Sequence, residues 1–210
     1  MGDYLRLLTI NDREVPLASL QRAVPFGAIW SVDHPGTLGN YLALGPDLHD
    51  LHGVWATVER NPVGPNTLGA EEVAEFIDSL ESGGPPPAVR WLSDYLETIR
   101  AIYAIRIYPE SILKHPDALN AVFAVRSALH DAVGGIGQWD DHGFTNEDDH
   151  LIWCSPQMTL KGTTQAAMLD ESTGEWISFE LDLDDPEELN AFIRGEVPRP
   201  RRRGAGRPSS

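Results

Sequence analysis

The stretch AIYAIRIYPESILKHPDALNAVFAVRSALHDAVGGIGQWDDHGFTNEDDHLIWC, residues 101–154, decides the fold class. Its opening alternates Tyr103, Ile105 and Ile107 against Ile102, Ala104 and Arg106, the period-two pattern of a strand, and Pro109 ends it. Leu119, Val122, Phe123, Leu129 and Val133 follow at helical spacing, which predicts a long helix over 116–133, closed by Gly134 and Gly135. Residues 136–145 and 151–154 then read as two strands around the polar turn Asn146-Glu147-Asp148-Asp149. One segment thus joins strands both through a helix and through a hairpin. That combination argues an α+β fold: a mixed, largely antiparallel sheet with helices packed on it.

The same patterns continue on both sides of this stretch. Strands are predicted over 4–10, 28–32, 41–44 and 54–58, with a short helix over 16–24 that carries Pro16 at its start. A loop rich in Pro, Gly, Asn and Thr covers 61–69. Val73, Phe76, Ile77 and Leu80 predict a helix over 70–82, and Val89, Leu92, Leu96 and Ile99 predict another over 88–99. Downstream, 163–169 and 176–183 form a second hairpin, and Asp185 caps a last helix with Pro186 just inside it. Two stretches share the order β-α-β-β, and in each the third element runs through a tryptophan into Asp and His: Trp30 to Asp33-His34, and Trp139 to Asp141-His142. A sheet built from two such halves is one expectation; the other is coincidence, since only a few residues match at unequal spacing.

Length and composition fit one domain over 1–197, with 41% hydrophobic residues to fill a core. The net charge of −16 is unevenly spread. Arg199, Arg201, Arg202, Arg203 and Arg207 form a basic tail at 198–210, expected to be disordered, and the rest carries 11 basic against 32 acidic residues, a charge of −21. Such a body repels nucleic acid and anionic membranes and attracts basic proteins. The only cysteine, Cys154, excludes an internal disulfide and favours a reducing, cytoplasmic setting. It reads as a buried thiol on a strand. Neither a secretory leader nor a membrane-length apolar run is visible. Most of the six tryptophans are expected in the core.

Motifs that would name a chemistry are missing. No glycine-rich phosphate loop occurs, and the zinc-protease and EF-hand spacings are absent. The densest polar cluster is Asp140, Asp141, His142, Glu147, Asp148, Asp149 and His150. Oxygen and imidazole donors in this number are candidate ligands for a divalent cation, with Asp140, Asp141, His142 and His150 as the metal set; no other cofactor is indicated. Across a hairpin ladder, Asp140 or His142 would approach His150. Glu147, Asp148 and Asp149 are candidate contacts for a basic partner. The same residues also read as a solvated turn chosen for its geometry. His49 and His52, three apart, form a second candidate pair, bracketed by Pro46 and Gly53.

These features rank three functions. The first is a non-enzymatic binding protein, an adapter or inhibitor whose acidic surface engages a basic protein. The second is a metal-dependent, hydrolytic enzyme using the 140–150 cluster. The third is an accessory subunit of a larger complex, which would expose an apolar patch containing a tryptophan.

Overall fold

A computed structural model describes residues 3–32, 41–48, 50–140 and 142–198. The arginine-rich tail from Arg199 onward, the Asp33-His34 pair, His49 and Asp141 lie outside the described residues.

Strands β1 (Asp3–Thr9), β2 (Ala28–Val32), β3 (Tyr41–Gly45), β4 (Ala56–Pro62), β5 (Ala101–Ile107), β6 (Ile136–Trp139), β7 (Gly143–Thr145), β8 (Leu151–Trp153), β9 (Thr163–Asp170) and β10 (Glu175–Asp182) make one open sheet. Its order is β10-β9-β8-β7-β6-β1-β5-β4-β3-β2, antiparallel except where β8 meets β9. The helices are α1 (Leu17–Ala23), α2 (Leu68–Leu80), α3 (Pro86–Leu96), α4 (Pro109–Ile112), α5 (Ala118–Val133) and α6 (Pro186–Ile193). This is the α+β fold with a mixed, largely antiparallel sheet that the sequence pattern indicates. No described helix is long and apolar enough to cross a membrane.

Alternation along the strands divides the core into two faces. On β1, Leu5 and Leu7 pack with Leu20 of α1 and with Val122, Val125 and Leu129 of α5. Leu8 points the other way, with Ile136, Phe144 and Ile152, against Val73 and Leu80 of α2 and Leu92 and Leu96 of α3. Beyond β8 the first face continues as a separate cluster, in which Leu151, Ala166, Met168 and Leu181 meet Phe192 of α6.

Several boundaries differ from expectation, each for a visible reason. β4 runs on to Pro62 because Glu59, Arg60 and Asn61 keep pairing with β5, and Thr67 then caps α2 by accepting from the Ala70 N–H at 3.2 Å. Pro109 both ends β5 and starts the one-turn α4, since its fixed φ suits a first helical position. The single strand expected over 136–145 is two strands, β6 and β7, that pair with each other around residues 140–142.

The two β-α-β-β stretches enter the sheet in opposite order. β2, the Trp30 strand, is an outer edge, whereas β6, the Trp139 strand, lies beside central β1. They are therefore not copies placed side by side. Trp30, Trp55 and Trp153 are buried, while Trp91, Trp139 and Trp176 are half-buried.

Cys154 is fully buried just after β8, its backbone bridged to Gly84. Burial pushes its thiol up to about 12. A thiol held neutral in this way is inert, so iodoacetamide at pH 8 is expected to alkylate the folded protein at least ~100-fold more slowly than the urea-unfolded chain. The folded pKa is raised, so its contribution to stability is complete below the unfolded thiol pKa and is lost as pH climbs toward 12. Comparable alkylation rates for the folded and unfolded chains would contradict this burial.

Candidate functional site

On the α5 face of the sheet, α5 covers β1 and α6 covers β9 and β10, and between them a trough runs over β6, β7 and β8. It encloses about 420 Å³. Gly137, Trp139, Gly143, Thr145 and Leu151 form the floor, each on the strand positions that point to this face. Phe123, Arg126 and Ser127 of α5 make one wall; Leu160 and Thr164 make the other. His142, in the β6–β7 connection, closes an end with its ring 4.5 Å from that of Trp139. A mostly apolar concavity with a few convergent polar groups is the ordinary form of a binding site.

The polar anchor of the trough is Arg126. It occupies the inward stripe of α5 and is only 8% exposed. Its two terminal nitrogens donate to the two oxygens of Asp149, one at 2.7 Å, in the bidentate geometry that suits guanidinium to carboxylate. Asp149 reaches it from the β7–β8 turn with φ +61°. That turn is held by the buried Asn146, whose Oδ1 accepts from the N–H groups of Asp148 at 3.1 Å and His150 at 2.9 Å. Gly137 lies beneath the guanidinium, and a Cβ there would sit 3.0 Å from Arg126 Nη2 and against the Thr145 hydroxyl. Thr145 Oγ1 is buried and has no hydrogen-bond partner among the described residues.

The acidic cluster of 140–150 is thus divided among distinct settings. Asp140 turns to the opposite face, where it pairs with Arg6 and accepts from the Tyr4 N–H at 3.2 Å. Arg6 is shared there with Glu72 and Gln138, and it lies over the rings of Tyr4 and Phe76 at 4.8 and 5.5 Å. His142 packs on Trp139 within the trough. His150 meets the Ser178 hydroxyl through Nδ1 at 2.9 Å. Glu147 and Asp148 are exposed, and Glu147 adds its negative charge to the burial that pushes the Tyr95 hydroxyl up to about 12.

The expected approach across a hairpin ladder is not what forms. β7 begins at Gly143, after both Asp140 and His142, and its ladder to β8 joins Phe144 to Trp153 and Thr145 to Leu151. Among the described residues, no three His, Cys, Asp or Glu side chains assemble into a set that could hold a metal ion. His52 lies in a turn with its N–H on Asp50 Oδ1 at 3.0 Å.

Arg126 and Arg6 were not singled out from the sequence, although a signal existed. Arg126 interrupts the apolar stripe of Val122, Leu129 and Val133, and Arg6 sits on a strand with two largely apolar faces. A charge at a core-facing position needs a partner, and both have one. No family model matches this chain, and neither a curated protein nor a solved structure is detectably similar to it.

Proposed function

We propose that this chain is a non-enzymatic binding protein, an adapter or inhibitor of the cytoplasm, whose acidic surface engages a basic protein partner. The observation that carries the reading is the placement of charge at one end of the sheet. β10, the first turn of α6 and the short link between them hold Glu175, Glu180, Asp182, Asp184, Asp185, Glu187 and Glu188, with no lysine or arginine between them. Glu175, Glu180, Asp182, Asp184 and Glu187 are exposed. Five of the eleven cations before the tail face carboxylates: Arg6 those of Glu72 and Asp140, Arg90 that of Glu171, Arg126 that of Asp149, Arg194 that of Glu196, and Lys161 that of Asp184 at the acidic end itself. A field of one sign on one end of a molecule steers association with a partner of the other sign, and it does so more weakly as salt rises.

The test is association of the full-length chain with the basic proteins of its host, followed by calorimetry on each protein retained. A stoichiometric complex is expected whose Kd rises at least about tenfold between 50 and 300 mM salt, because charge steers the encounter. The triple variant Glu175→Gln, Glu180→Gln, Glu187→Gln should lose most of that salt dependence. If no basic protein forms a saturable complex, the reading fails.

A further inference from the structure

The geometry points to the trough over β6, β7 and β8 as the place where that partner inserts an aromatic anchor from a basic segment. This inference rests on the binding reading above and assigns it a specific surface. Phe123 stands at the lip, 36% exposed, with its ring 6.3 Å from that of Trp139 and edge-on to it. Exposed aromatics beside an apolar concavity are the usual sites where one buried side chain dominates an interface. A volume of about 420 Å³ accepts one large aromatic side chain with its flanking backbone.

Charge at the rim selects the flanking residues. Asp149 is half-exposed although both its oxygens face Arg126, Asp148 is exposed beside it, and Asp131 lies one turn beyond Ser127 on the same stripe of α5. Lys161, next to Leu160 on the opposite wall, is exposed with Asp184 3.8 Å away, so the charge of that wall is balanced locally. The rim thus presents carboxylates to whatever carries the anchor. A segment with Lys or Arg on either side of Trp or Phe matches both parts.

The test uses a random dodecapeptide library displayed on phage, selected on the immobilised full-length chain. Enriched peptides are then titrated against the wild type and two variants. Ser127→Trp fills the trough from an exposed helix position, and Phe123→Ala removes the lip; circular dichroism and thermal melting confirm that each is folded. Expected are peptides combining Lys or Arg with an aromatic residue, Kd at least tenfold weaker in Ser127→Trp, and a change in tryptophan fluorescence on binding. Basic peptides that bind Ser127→Trp and Phe123→Ala as tightly as wild type overturn the trough assignment and leave the basic-partner reading standing. Enriched peptides without basic residues, whose binding is insensitive to salt, overturn the basic-partner reading. No enrichment overturns both.

Discussion

Alanine at position 143 is expected to lower the unfolding free energy by at least ~3 kcal/mol, from strain and a backbone collision acting together. Gly143 has φ +112°, a region that side-chain-bearing residues rarely adopt. A Cβ there would also collide with the carbonyl oxygen of Trp153 and lie 3.1 Å from Cys154 Cα. These neighbours are backbone of the adjoining strand, so no rotamer change relieves the contact. The chain needs this conformation because β6 and β7 reverse within residues 140–142, with Trp139 paired directly to Gly143. Phe144, 1% exposed, is the next residue, so movement of Gly143 propagates into the core shared with Trp153 and Phe76. Gly174 supplies the control. It has φ +75° but nothing within 4 Å of a Cβ, so Gly174→Ala isolates the conformational term and should cost only ~1 kcal/mol. Urea denaturation of both variants measures the difference. Equal costs would show that the β6–β7 reversal yields to a side chain.

The reversal at Gly143 also shows what the sequence could and could not reveal. Periodicity located most elements, because burial imposes a period of two on strands and 3.6 on helices. Leu119, Val122, Phe123, Leu129 and Val133 marked the inward stripe of α5, of which Val122, Leu129 and Val133 are buried while Leu119 and Phe123 stand exposed at its edge. What periodicity does not carry is the order of strands. β1 pairs with β5 and β6, about a hundred residues away or more, and only that pairing brings Arg6 to Asp140 and Gln138. The polar cluster was therefore found as a string of residues, while its division between two faces was not legible. Asp140 and His142 flank a strand end, so each follows its own face, and Asp149 is claimed by a helix residue 23 positions earlier. The trough itself is a gap between α5 and α6, a relation between elements that no local pattern encodes.

Asp149→Asn is expected to cost ~2 kcal/mol, and the reciprocal loss of the arginine is expected to cost less. Asparagine is the informative replacement because it tolerates the left-handed backbone at φ +61° as aspartate does, so the substitution removes charge and leaves the turn intact. The guanidinium of Arg126 would then remain 8% exposed without its counter-charge. Breaking a fully buried pair costs ~3–5 kcal/mol, whereas exposed pairs are worth ~0–1 kcal/mol. Asp149 is 52% exposed in its side chain, so water partly screens the pair and an intermediate value follows. In Arg126→Met the situation reverses: the aspartate left behind is half in water and can be hydrated, and methionine refills the space of the arginine stem. That variant should lose ~1 kcal/mol, and the double variant should return to within ~1 kcal/mol of wild type, since no buried charge remains. A double-mutant cycle by urea denaturation gives the coupling directly. Equal costs for the two single variants would mean that water reaches the guanidinium as freely as it reaches the carboxylate. The trough would then be a wet cleft, with no dry floor to receive an aromatic anchor.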